Sequence, residues 1–158
     1  MKIQLICMGG LKERFLRDAQ AEYVKRLNGC CQLSVTEIDP VTLPKGASQA
    51  QIDAALDAEG KKILSKLAKG YTVALCIEGK QCSSQALAQK LEALPVNGVS
   101  CVNFIIGSSY GLCDEVKRAA DWRLSLSEMT FPHQLFRIML LEQIYRAYDI
   151  MGANRYDK

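Results

Sequence analysis

The chain has no cysteines at C-x-x-C spacing, no low-complexity tract, no internal repeat and only one histidine. Its seven cysteines, Cys7, Cys30, Cys31, Cys76, Cys82, Cys101 and Cys113, are odd in number and scattered. That pattern excludes a disulfide framework and a zinc site built from close ligand pairs, and it predicts a reducing, cytoplasmic setting. No apolar run approaches the roughly 18 to 20 residues that cross a bilayer. The opening "MKIQLICMGG" is shorter than a secretory core and is broken by Gln4, so neither export nor membrane insertion is expected. Twenty Lys and Arg against 17 Asp and Glu leave a formal charge of +3. That balance does not demand a nucleic-acid partner, but it is compatible with a locally basic surface. Neither G-x-G-x-x-G nor a Walker loop occurs, which argues against a dinucleotide or a triphosphate.

What is present is an alternation of β-rich runs and helical patterns over 158 residues, the length of one domain, 1–158. Strands are expected at 2–8, 31–38, 71–77, 101–106 and 122–126, and helices at 12–27, 48–69, 83–94, 112–121 and 132–151. The third and fourth strands are nearly all apolar, as in strands covered on both faces. Strands separated by helices require crossovers, so the class is α/β with a mostly parallel sheet flanked by helices. "SQAQ" at 48–51 has capping-box spacing, and Gly70 is read as the stop of that helix. The segment 39–49, with two prolines and a glycine, reads as an exposed loop.

In such a sheet, ligands gather beyond the carboxyl ends of the strands. The loops there read "EGKQCSS" (78–84), "GSSYGLCD" (107–114) and "SEMTFPH" (127–133). Gly107 and Gly111 suit either close approach of a ligand to backbone or a plain strand-to-helix turn. Pro132 fits a helix's first turn, with Thr130 as a capping hydroxyl. Steps of four back from Leu141 reach Arg137 and His133, placing two polar residues on the inward line where the helix dipole is positive. These two are read either as a pair at the rim of the core or as part of a site, and convergence with the small-residue loops favours the site. The tail "NRYDK" (154–158) combines base and aromatic, which suits phosphate contact and stacking or an ordinary frayed end. Arg14, Arg17, Lys25, Arg26 and Arg146 are interleaved with Glu13, Asp18 and Glu22, and they read as a mixed-charge solvated face.

Taken together, "KIQLICMG", "AEYVKRL", "EGKKIL", "IEGK", "FIIGSSYGL", the block "LSLSEMTFPHQLFRIMLLEQIYRAYDIM" at 124–151 and the closing "YDK" resemble the RlmH family over nearly the whole length. These are SPOUT-class methyltransferases acting on N3 of a pseudouridine in large-subunit (23S) ribosomal RNA within the assembled ribosome. The resemblance implies a homodimer with a C-terminal trefoil knot, S-adenosylmethionine as cofactor and no metal. Carried over by position, the cofactor site comprises Leu75, Gly107, Ser108, Leu126, Ser127, Glu128, Met129, Thr130 and Phe131. On the catalytic, RNA-facing side the family pattern points to Arg146, Tyr156 and Asp157, the tail being contributed across the dimer. His133 and Arg137 join them from helix geometry. Two departures stand out: Gly107-Ser108 occupies the place of a usual Gly-Gly, and Tyr156-Asp157-Lys158 that of a usual Tyr-His-basic end. The alternatives are a catalytically weakened, knotted RNA-binding factor associated with the ribosome, and a flavodoxin-like monomer binding a phosphate compound at "GSSYG".

Overall fold

The structure, a computed structural model, describes the backbone of residues 1–156 and the side chains of residues 1–152. Five strands, β1 (Lys2–Met8), β2 (Gln32–Ile38), β3 (Tyr71–Lys80), β4 (Cys101–Ile106) and β5 (Trp122–Leu124), alternate with five helices. The helices are α1 (Arg14–Leu27), α2 (Gln49–Lys66), α3 (Ser84–Val96), α4 (Asp114–Ala119) and α5 (His133–Tyr156). The strands form one sheet in the order β2-β1-β4-β3-β5, and every pairing is parallel. The expected α/β class and parallel sheet are therefore observed. Parallel strands need covered faces, and the side-chain alternation of β1, β3 and β4 divides the core accordingly. Ile3, Leu5, Cys7, Val73, Leu75, Val102, Phe104 and Ile106 point to the face packed by buried residues of α3 and α5 and by Leu27 of α1. Ile6, Met8, Ala74 and Ile105 point to the face packed by Ile63 of α2 and Val116 of α4.

Local signals predicted most elements. The capping box is formed: Ser48 Oγ accepts from the Gln51 amide at 3.2 Å, and Gln51 Oε1 accepts from the Ser48 amide at 2.9 Å. Gly70 plays a different part from the one expected. The second helix ends at Lys66, and Leu67, already extended, is its C-cap. A Cβ at Gly70 would lie 2.1 Å from the Cys101 carbonyl oxygen, so the position is glycine because it passes closely over the start of β4. Nearby, Asn103 is fully buried and exchanges hydrogen bonds with Ala68, donating at 2.9 Å and accepting at 3.2 Å.

Two boundaries and one loop depart from the sequence reading. β3 continues to Lys80, where it pairs with Leu124 after an irregularity, so its end overhangs the neighbouring strand. β5 stops at Leu124 instead of 126, releasing residues 125–132 as a long connection over the sheet's carboxyl edge. The segment after Ile38 is only partly exposed, with Val41 and Leu43 half-buried against α2. No helix among the described residues is long and apolar enough to cross a membrane.

Candidate functional site

The carboxyl ends of β3 and β4 open into a cavity of about 650 Å³, within the range that holds a cofactor-sized molecule. Its floor is Leu75 to Glu78 from β3 and Ile106 to Leu112 from the turn after β4, and its far wall is the connection Ser125 to His133. Two of the three loops singled out in the sequence, 107–114 and 127–133, thus meet at one place; the loop 78–84 contributes only Glu78, and its Cys82, Ser83 and Ser84 line a separate cavity. Leu75, Gly107, Ser108, Leu126, Ser127, Met129, Thr130 and Phe131 all line it. Glu128 sits in the same connection but is exposed and outside the lining.

The turn after β4 is shaped by close backbone contact. A Cβ at Gly107 would lie 2.4 Å from the Gly111 carbonyl oxygen, and the Gly111 amide donates to the Ser108 carbonyl at 2.9 Å. Gly111 has a φ of 90°, whereas no residue other than glycine has positive φ among the described residues. Ser108 in place of glycine is therefore unstrained, and its hydroxyl donates to Glu59 Oε1 at 2.9 Å. The wall loop has its own local order. The Ser125 hydroxyl donates to the Ser127 carbonyl at 3.0 Å, and the Ser127 hydroxyl accepts from the Met129 amide at 3.0 Å. Thr130 faces the cavity and is not the cap expected of it. α5 begins one residue later than expected, at His133, and the Pro132 carbonyl accepts its first hydrogen bond, from Phe136 at 2.9 Å.

The predicted polar residues separate. His133 stands at the rim of the cavity, half-buried. Burial, then the Arg137 and Lys12 charges, hold its pKa below the ordinary 6.5, so its imidazole is neutral at pH 7 and keeps an acceptor nitrogen. Arg137 is not a surface residue of the site. It is 1% exposed, and its guanidinium donates to Glu37 Oε2 at 2.7 Å, the Gly9 carbonyl at 2.7 Å and Gln20 Oε1 at 3.2 Å. Helical spacing placed it on the inward line correctly; what it meets there is the end of β1, β2 and α1, not a ligand. Arg146 lies 13 residues farther along α5 than His133, about 20 Å at 1.5 Å per residue. It is exposed, and Glu142 Oε1 accepts from its Nε at 3.1 Å and its Nη2 at 2.6 Å. Glu142 also accepts from the Tyr23 hydroxyl. Tyr156 is the last residue of α5 in its backbone, and its side chain, like Asp157, lies outside the described residues.

Sequence reasoning missed two groups. Lys117 of α4 and Glu78 of β3 form an ion pair in the lining, which holds the Glu78 carboxyl below the usual range. Helical periodicity alone could not pair an α4 lysine with the overhang of β3. Glu59 is the other, 3% exposed, accepting from the Val41 amide at 3.0 Å as well as from Ser108. A charged residue at the apolar spacing of α2, beside Ala55 and Ile63, was the available signal. Among the described residues, no three His, Cys, Asp or Glu side chains are grouped to hold a metal ion.

Two outcomes follow from this geometry. Arg137→Met leaves the Gly9 carbonyl and the Glu37 carboxylate without their donor, and it lowers stability by about 2–4 kcal/mol in urea unfolding, with the partial exposure of Glu37 keeping the loss moderate. The single imidazole titrates by NMR with a midpoint below 6.5, and Lys12→Gln moves that midpoint upward. The folded state holds this proton less tightly than the unfolded chain, so stability falls as pH drops through 6.5.

Comparison with known proteins identifies the family. The family model described as "Predicted SPOUT methyltransferase" matches residues 1–157. Proteins named ribosomal RNA large subunit methyltransferase H are 46% identical in Clostridioides difficile (strain 630), 44% in Leuconostoc mesenteroides and 45% in Streptococcus thermophilus (strain CNRZ 1066). Each match covers 100% of both chains. Among solved structures, a probable methylase family protein from Haemophilus influenzae superposes with a TM-score of 0.53 at 13% identity, over 99% of this chain and 70% of the other. A putative methyltransferase from Legionella pneumophila, solved with bound SAM, does so with a TM-score of 0.50 at 16% identity, over 93% and 66%. With a full-length match to the family model and relatives near 45% identity across the entire chain, the protein belongs to the RlmH family of SPOUT methyltransferases.

Proposed function

We propose that this protein transfers a methyl group from S-adenosylmethionine to large-subunit ribosomal RNA, at N3 of a pseudouridine within the assembled ribosome. The observation that carries the reading is the cavity at the ends of β3 and β4, walled by eight of the nine residues expected to hold the cofactor. The fit is chemical as well as positional. Gly107 lets the turn that lines the cavity close on the Gly111 carbonyl, Leu75, Leu126 and Phe131 offer apolar walls, and the volume is adequate. When bound, the cofactor supplies a methyl group on a sulfonium sulfur that leaves as a neutral thioether. The chain's own task is to hold both reactants in line and keep water out. The wall loop 125–132 encloses the cavity, and neutral His133 at its rim offers a nitrogen that can take the N3 proton.

Arg146, and Tyr156 and Asp157 in the tail, are assigned to the RNA side of the site. The roughly 20 Å along α5 between His133 and Arg146 keeps Arg146 away from its own cavity, which supports a homodimer in which one copy's Arg146 serves the other's cofactor site. The same reading includes a trefoil knot: the connection 125–132, leaving the edge strand and returning across the ends of β3 and β4, is the segment that would thread it.

Ribosomes lacking the modification, incubated with the native protein and labelled S-adenosylmethionine, acquire the methyl group at pseudouridine N3, as read by mass spectrometry of the rRNA. Asp157→His changes the rate without being needed for it. No product from the native chain alongside full product from the variant would favour the weakened RNA-binding factor. Complementation checks the shared site: Gly107→Val and Arg146→Ala are each inactive alone, and co-expressed chains regain about a quarter of native activity, since random pairing makes half the dimers mixed, each with one intact site. Inactive mixtures would point to a site built from one chain.

A further inference from the structure

Glu59 is buried within α2 and has no cationic partner among the described salt bridges. Both its oxygens accept hydrogen bonds, one from the Val41 amide and one from the Ser108 hydroxyl, the pattern of an ionised carboxylate, which only accepts. Two neutral donors do not cancel a charge. Ser108 lines the cavity, so this carboxylate stands directly behind the wall, one hydrogen bond from it. A smaller cavity of about 220 Å³ bounded by Glu59 and Leu43 shares Ser108, Ser109 and Tyr110 with the larger one, leaving little protein between the carboxylate and the site.

The other charges near the cavity are paired, neutral or, as with Lys12, Arg123 and Glu128, exposed and screened by solvent. Glu78 is paired with Lys117, His133 is kept neutral at pH 7, and Arg137 is matched by Glu37. Glu59 differs from these in being buried, where solvent screens its field least. In a site of low polarity, a negative charge favours a cation over a neutral ligand of the same shape. The methyl donor and its spent product differ at one atom in this way: sulfonium before transfer, thioether after.

We propose that Glu59 biases the cavity toward the cationic methyl donor over its neutral thioether product, aiding exchange of one for the other. The proposal rests on the cavity being the S-adenosylmethionine site. Glu59 is a positioning and specificity residue, acting through the field and not by touching the substrate.

Affinities of the full-length protein for S-adenosylmethionine, S-adenosylhomocysteine and sinefungin, which carries an amine in place of the sulfonium methyl, are measured by calorimetry. Glu59→Gln, of equal shape, and Glu59→Met, of similar size and apolar, each weaken both cationic ligands about tenfold relative to the thioether. That is what one charge contributes at ~12 Å with an effective dielectric near ~20. Glu59→Asp, which keeps the charge, retains the native ratio. Equal weakening of all three ligands by the neutral variants would make Glu59 a scaffold for the turn and overturn the proposal. Loss of the ratio in Glu59→Asp as well would do the same. Failure of the native protein to bind any of the three would instead reject the cofactor reading itself.

Discussion

The guanidinium of Arg137 is the contact on which the shape of this molecule's working end depends. It lies in the interior at the start of the last helix and joins that helix to the carbonyl after β1, to Glu37 in β2 and to Gln20 of α1. An arginine so buried is tolerable only with its donors satisfied in fixed directions, and a planar fork supplies that rigidity better than an ammonium would. By pinning the start of α5 it sets where His133, Phe136 and the wall loop stand above the ends of β3 and β4. The cavity is in effect the space left between a sheet edge and a helix end that Arg137 holds at a set distance.

The charges around that space are arranged in layers. Paired groups occupy the surface, where Glu78 and Lys117 close one side and Arg146 with Glu142 marks the exposed flank of α5. Apart from that Glu78–Lys117 pair, neutral groups form the lining, with small residues and backbone at the turn after β4. The unpaired carboxylate lies behind the lining, held by Ser108 and Val41. A ligand therefore meets little charge directly yet sits in a net field, which suits a site that must handle a cation without gripping it by a salt bridge.

The departure at Ser108 fits this arrangement. With φ negative there, a side chain causes no strain, and its hydroxyl turns away from backbone to a buried acceptor. Gly107, one residue earlier, has no such freedom, because the Gly111 carbonyl occupies the place of a Cβ. Of two adjacent small residues, one is small by steric necessity and the other serves through its hydroxyl.

Periodicity, caps and glycine placement were enough to establish the α/β class, the parallel sheet and the meeting of the loops 107–114 and 127–133, because each depends on contacts within a few residues or on rules common to all crossover sheets. The capping box at Ser48 and Gln51 was legible for that reason. The partners of Arg137, the pairing of Lys117 with Glu78 and the burial of Glu59 beneath Ser108 were not, since they join residues 100, 39 and 49 positions apart. The role of Gly70 was misread likewise, its constraint being a carbonyl on a strand 31 residues later. The sequence by itself determined which residues are polar, small or apolar along each element. Only the tertiary structure decided whether a polar residue faces a ligand, a partner strand or the core, because that choice is made by groups the chain brings together after it folds.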